Sequence, residues 1–181
     1  MRIIAGEFRG RRLLTPKDSA IRPTADRLRE SIFNALAHRL GSFEGVRVAD
    51  IFAGTGAFGL EALSRGAAFA CFVEKHRQSL DLIRQNIDRF DMGGRAEVLT
   101  ADARNLPEAD KPYGLIFMDP PYGRGLTGPT LESLIAAKWV APAGLIVVER
   151  EEKDGFDIPL RFEELKCIRQ GKRRAHILTP V

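Results

Sequence analysis

A chain of 181 residues, 44% hydrophobic and 29% charged, has the length and mixture of one soluble domain with a single sizeable core. No apolar run approaches the ~20 residues of a membrane span. Residues 1–6 show no apolar stretch leading to a small-residue cleavage site, so a cytoplasmic protein is expected. The net charge of +4 is unevenly placed: residues 1–40 hold nine Lys/Arg against four Asp/Glu, leaving nineteen against twenty for the rest. A basic arm on a nearly neutral body is expected of a protein that touches a polyanion through the arm.

Residues 2–14 alternate loosely around Gly6 and Gly10 and predict a short twisted hairpin bearing Arg9, Arg11 and Arg12. Lys17 follows, and the stretch from Ile21 to Asp26 leads into a helix. Pro23 biases Arg22 toward extended geometry, and Thr24 or Asp26 can cap the first turn. Leu28, Ile32, Phe33 and Leu36 recur at helical spacing and define a buried face, with Arg27 and Arg29 elsewhere on the wheel. From residue 46 onward short apolar runs alternate with helical patterns, as in a parallel sheet with crossover helices.

Strands are predicted at 46–51, 70–73, 97–100, 115–118 and 145–148. Helices are predicted at 57–64, around Leu80, Ile83, Ile87 and Phe90, and around Leu131, Leu134 and Ile135. Then the rhythm changes. Residues 162–168 and 174–178 read as strands joined by Gln170-Gly171-Lys172, a loop short enough to demand antiparallel pairing. The expected fold is α/β: a mostly parallel, seven-stranded sheet finished by an antiparallel C-terminal hairpin. Residues 1–40 form a basic hairpin-and-helix extension of a domain covering 41–181. Cys71 and Cys167 lie far apart in apolar strand-like runs and read as reduced core thiols. His38, His76 and His176 show no ligand spacing, so no metal is expected.

Ligands of open α/β sheets bind outside the carboxyl ends of the strands. Those ends offer Asp50 with its glycine loop, Glu74, Asp102, and Asp119-Pro120-Pro121-Tyr122. Gly54, Gly56 and Gly59 spell G-x-G-x-x-G, which suggests a nucleotide cofactor without saying which. Glu74 follows Gly56 by eighteen residues, the distance at which an acid on a second strand reaches ribose hydroxyls. Asp102 is a candidate for an adenine amino group. The double proline fixes an extended backbone and removes two N–H donors, leaving the Asp119 carboxylate and Pro120 carbonyl as acceptors. An amino group could donate to both while its base stacks on Tyr122.

With Asp50-Ile51-Phe52-Ala53-Gly54-Thr55-Gly56 and Asp119-Pro120-Pro121-Tyr122 together, the chain resembles the S-adenosylmethionine-dependent amino methyltransferases. Arg22-Pro23-Thr24 with Asp26-Arg27, the run from Gly59 to Ala67, and Phe72-Val73-Glu74 narrow the resemblance to the bacterial RsmD family. That resemblance covers nearly the whole chain. It implies a Rossmann-like class I methyltransferase fold and transfer of a methyl group to guanine N2 of small-subunit (16S) ribosomal RNA, free or in a partly assembled 30S particle. It places Asp50, Phe52, Ala53, Gly54, Thr55, Gly56, Glu74, Lys75, Asp102, Ala103 and Thr24 around the cofactor, and Asp119, Pro120, Pro121 and Tyr122 around the reacting amine. Arg9, Arg11, Arg12, Lys17, Arg22 and Arg27 become the RNA contacts of an expected monomer. Two departures stand out: Thr55 replaces the more usual Ser, and Lys172-Arg173-Arg174-Ala175-His176 is unusually basic. That basic strand is either a substrate contact or an edge defended by charge.

Three rivals are weaker. An NAD-dependent oxidoreductase has no use for the Asp119–Tyr122 corner. An adenine-N6 methyltransferase acting on DNA or RNA would share that corner, yet the chain is short for a sequence-specific DNA enzyme. A non-catalytic RNA-binding module would not need its acceptors.

Overall fold

The computed structural model describes residues 1–16 and 23–181, with side chains from residue 26 onward in the second stretch. Its elements are α1 (Pro23–Leu40), β1 (Arg47–Ile51), α2 (Ala57–Ser64), β2 (Phe69–Glu74), α3 (Arg77–Arg89), β3 (Ala96–Thr100), β4 (Tyr113–Met118), α4 (Thr127–Ala136), β5 (Val140–Glu151), β6 (Phe162–Gln170) and β7 (Arg173–Pro180). No described helix is long and apolar enough to cross a membrane. The seven strands form one sheet in the order β3-β2-β1-β4-β5-β7-β6. Strands β1 to β5 pair in parallel, and β7 enters antiparallel between β5 and β6.

Period-two alternation sends neighbouring strand residues to opposite faces of the sheet. Val48, Phe72, Leu115, Phe117 and Val147 pack on one side with α1, α2 and α3. Ala49, Ile51, Val73, Ile116, Met118 and Val148 pack on the other with α4 and Trp139. Both faces are covered, which is why the parallel strands read as continuous apolar runs. Cys71 is buried in the second layer, Cys167 is half-buried on β6, and both are free thiols.

Every predicted strand is present, with shifted ends. β5 spans twelve residues rather than four, because a register irregularity pairs Val140 with Tyr113 but Leu145 with Leu115. The hairpin loop is two residues, Gly171 and Lys172, with Gly171 at φ +56°. α1 starts at Pro23, so Thr24 and Asp26 lie inside the first turn and do not precede it. Proline at the first helical position has its φ set in advance and loses no hydrogen bond there.

One expectation about this region needs correction. Arg29 is not on an exposed face: it is 3% exposed, with Nη2 donating to the Arg2 carbonyl at 2.6 Å and to Asp26 Oδ1 at 3.0 Å. The N-terminal hairpin forms as a short one: Arg2 and Arg12 bridge antiparallel, Ile3 N–H donates to the Arg11 carbonyl at 3.0 Å, Gly10 N–H to the Ile3 carbonyl at 2.9 Å and Leu13 N–H to the Met1 carbonyl at 3.2 Å. The donors between its strands, at Ile4, Ala5, Glu7 and Phe8, find partners on α2. Ile4 and Ala5 N–H donate to the two carboxylate oxygens of Glu61 at 2.7 and 3.0 Å, and Phe8 N–H to Ser64 Oγ at 3.0 Å. Gly6, at φ +84°, passes so close to Ser64 that a Cβ would lie 1.8 Å from its carbonyl oxygen. Leu14 exchanges two hydrogen bonds with the Asn86 side chain of α3, and Ile3 and Leu13 are buried in the core. The arm is latched onto the helical layer.

Candidate active site

The strand order reverses between β1 and β4, which lie side by side. The chain leaves β1 toward α2 on one face and leaves β4 toward α4 on the other, so a crevice opens beyond their carboxyl ends. That topology brings residues 50–59 and 119–122 together across about seventy positions of sequence.

The loop after β1 turns through Phe52 at φ +60°, Gly54 at φ +57° and Gly56 at φ +78°. A bulky residue at positive φ, as Phe52 is, costs on the order of 1–3 kcal/mol and marks a backbone held for a purpose. The strand-end acids hold it. Gly54 N–H donates to Glu74 Oε2 at 3.1 Å, while Glu74 Oε1 accepts from Lys75 and His76 N–H. Asp50 Oδ2 accepts from Gly59 N–H at 2.9 Å in the first turn of α2. Burial pushes the Asp50 carboxyl up to about 7 against that hydrogen bond, with Glu74 adding to the rise. Gly59 serves packing: a Cβ there would sit 2.4 Å from the Phe72 ring.

Two cavities meet at Asp119. A strand-end cavity of about 250 Å³ is bounded by Phe52, Glu74, Lys75, Ala103, the Asp119–Tyr122 corner and Arg173. A loop cavity of about 150 Å³ is bounded by Arg29, Asp50, the segment Phe52–Ala53–Gly54–Thr55, Asp119, Glu149 and Arg173. Pro120, Pro121 and Tyr122 also wall a third, outer cavity of about 450 Å³ beside Phe156. Tyr122 therefore stands between two hollows. Burial and the neighbouring Glu149 carboxylate hold Asp119 well above the usual carboxylate range, opposed by the Arg173 guanidinium. The Tyr122 hydroxyl is buried without a well-formed hydrogen bond, and burial with the adjoining carboxylates raises it.

Other sequence-predicted residues are placed differently. Asp102 does not line the strand-end cavity as Ala101 and Ala103 do; its carboxylate pairs with Arg104 at 2.7 Å and Lys75 at 3.1 Å on the surface. Those hydrogen bonds, led by Arg104, hold it well below the usual carboxylate range. As placed, it offers no free acceptor to an adenine amino group. Arg9 and Arg27 meet, with Arg2, in a groove of about 410 Å³ between the arm and α1. Arg11 lies over the Phe8 and Phe90 rings, and Arg12 is exposed. Lys17, Arg22 and the Thr24 side chain lie outside the described residues.

The sequence reading missed Glu149, Arg173 and Arg29. Glu149 was findable, because it follows the apolar run 145–148 just as Glu74 and Asp119 follow theirs. Away from the crevice, Glu164, Cys167 and His176 gather their donor atoms within 4.8 Å of one another on the terminal hairpin. Both His176 ring nitrogens are engaged: Nε2 accepts from Arg150 Nε–H at 2.9 Å, so Nδ1 carries the proton given to Glu164.

A glycine loop and an acidic double-proline corner at the switch point of a sheet with an antiparallel seventh strand define a Rossmann-like class I methyltransferase fold. The family model described as "Conserved hypothetical protein 95" matches residues 1–179. Ribosomal RNA small subunit methyltransferase D of Escherichia coli K12 is 40% identical over 157 residues, 86% of this chain and 77% of its own length. The protein of the same name from Haemophilus influenzae is 32% identical over 170 residues, 92% and 86% of the two chains. The solved structure of yhhF from Escherichia coli superposes with a TM-score of 0.85 at 34% identity, covering 99% of this chain and 97% of that one. The chain belongs to this family, the RsmD family that its motifs resemble.

Proposed function

We propose that this protein transfers a methyl group from S-adenosylmethionine to the exocyclic N2 of a guanine in small-subunit ribosomal RNA. The observation that carries the reading is the meeting of the glycine loop and the Asp119–Pro120 acceptors around adjoining cavities. Membership of a family whose relatives are named ribosomal RNA methyltransferases supports the substrate class.

The residues present fit the cofactor. Arg29 Nε is buried and has no hydrogen-bond partner, and Arg29 lines the loop cavity, where a carboxylate would satisfy it. Gly54 keeps open space on its free side, the nearest atom to an added Cβ being 3.8 Å away. The loop cavity would hold the amino-acid part and the strand-end cavity the nucleoside, with Glu74 on the ribose and Phe52 between the two. S-adenosylmethionine supplies an electrophilic methyl group on sulfonium when bound.

The chain's own residues prepare the acceptor. The guanine amine is a poor nucleophile because its lone pair is spread into the ring. Its two protons donated to the Asp119 carboxylate and the Pro120 carbonyl favour a localised lone pair aimed at the methyl. Positioning and electrostatics supply the rate, with no covalent intermediate on the protein. Tyr122 offers a stacking face that offsets part of the roughly few kcal/mol needed to unstack the base. Arg9, Arg12 and Arg27 contact phosphates and set affinity rather than base choice.

Mass spectrometry of ribosomal RNA nucleosides from cells with and without the gene tests the reading. Loss of N2-methylguanosine at one small-subunit position is the expected result. Loss of N6-methyladenine instead would replace guanine with adenine as target, and an unchanged nucleoside profile would overturn the assignment.

A further inference from the structure

The basic run that opens β7 lies outside the acceptor corner Asp119–Tyr122. Its first arginine does not face solvent as an edge charge would. β7 pairs with β5 so that Arg173 lies opposite Glu151 and Ala175 opposite Glu149, which puts Arg173 and Glu149 on one face as diagonal neighbours. Arg173 Nη1 donates to Glu149 Oε1 at 2.5 Å, and the two side chains are 21% and 5% exposed. The Arg173 guanidinium lies 5.9 Å from the Tyr122 ring centre and borders both cavities that Asp119 borders.

We propose that Arg173 and Glu149 are a positioning pair that sets the charge state of the Asp119 carboxylate with which they share a cavity. The inference rests on the acceptor role given to Asp119 above. Asp119 borders the loop cavity together with Asp50 from β1, Glu149 from β5 and Arg173 from β7, and the strand-end cavity together with Tyr122 of its own corner and Arg173. Arg29 of α1 acts on Glu149 and Asp50 in turn. Two buried carboxylates in one site do not both stay ionised unless a cation compensates one of them. Arg173 is that cation. Burial lifts Asp119 and Glu149 alike, and Arg173 opposes the rise in both. An ionised carboxylate is acceptor-only, the form an incoming amino group needs, whereas a protonated one presents a donor.

Charge arithmetic then gives opposite signs for the two partners. Removing Arg173 favours protonated Asp119; removing the Glu149 charge favours ionised Asp119. The experiment is a carboxyl ¹³C NMR titration of Asp119, with a pH profile of methyl transfer, in wild type, R173Q, R173K and E149Q. R173M, which keeps part of the apolar stem, serves if R173Q does not fold.

In R173Q the Asp119 titration and the acid limb of kcat move to higher pH by about one unit or more. That is a turnover loss of about tenfold on the acid side, recovered as pH rises. R173K restores most of the wild-type profile, and E149Q moves both titration and limb to lower pH. A pair with a merely structural role would depress activity alike at every pH. Titrations that stay in place in both variants, or that move in the same direction, overturn the proposal. Because the titration needs no RNA, failure of the guanine-N2 reading is separable: it leaves the NMR shifts opposed while methylguanosine is absent.

Discussion

Asp50, buried, and Asp119, half-buried, are both acids at strand ends, yet their environments give them different work. Asp119 faces a cavity with its acceptor lone pairs available, so Asp119→Ala is expected to retain S-adenosylmethionine binding by calorimetry. It should lose turnover by about 10²–10³-fold, the scale of one missing preorganised electrostatic partner. Near-wild-type turnover would remove Asp119 from the mechanism. Asp50 spends its carboxylate on the backbone of α2. Its carboxyl, raised from 3.8 to about 7, stays protonated in the folded state over an interval where the unfolded chain has released its proton. The stability it contributes is therefore full below about pH 4 and lost as pH rises toward 7. Asp50→Asn, which carries no charge to bury, should raise the melting temperature at pH 8 relative to wild type. The gain should vanish by pH 4, and a gain independent of pH would contradict the assigned cause.

At the scale of elements, α2 is held at both ends by contacts that its own sequence does not advertise. Its first turn packs against β2 through Gly59, where a Cβ has no room beside Phe72. Gly59→Ala should cost about 1–3 kcal/mol in chemical denaturation through overpacking, and it should weaken cofactor binding because the same turn carries the glycine loop. Its last turn latches the arm. Glu61 is wholly buried, accepts the Ile4 and Ala5 N–H groups and pairs with Arg65 at 2.8 Å. Glu61→Ala leaves those groups without an acceptor, so a loss of about 2–4 kcal/mol is expected. Hydrogen exchange at Ile4 and Ala5 should accelerate beyond the global change; equal acceleration everywhere would mean that the latch is not a local device.

For the whole molecule, the concentration of basic charge in residues 1–40 and the burial of Ile3 and Leu13 pull in different directions. Deleting the arm would expose core and confuse unfolding with lost RNA contact. Single charge removals separate the two. Arg9→Ala and Arg12→Ala, both at exposed positions, should each lower the salt slope of RNA affinity by about 0.7–0.9 while leaving the melting temperature in place. Arg11→Ala should lower stability as well, because that guanidinium lies 5.2 and 5.1 Å from the Phe8 and Phe90 ring centres. Unchanged slopes in all three would move the RNA contact off the arm.

Period-two and period-3.6 patterning determined the strands, the crossover helices and the antiparallel finish, because those signals are local and repeat within one element. The same locality made Asp50, Glu74 and Asp119 readable as strand-end acids, since topology alone puts strand ends at the ligand. Where a side chain turned was decided elsewhere. The N-terminal hairpin was legible from its own alternation, but where it docked depended on Glu61 and Ser64, dozens of residues away, accepting the Ile4, Ala5 and Phe8 N–H groups. Arg29 went inward because the Arg2 carbonyl and Asp26 gave its guanidinium partners, and Asp102 went outward to Arg104 and Lys75. Arg173 came to border the cavities at Asp119 through the register of β7 on β5, a pairing between chain segments that no spacing within either one specifies. Backbone periodicity is written along the chain, whereas the partner of a buried charge is chosen by whatever the fold packs against it.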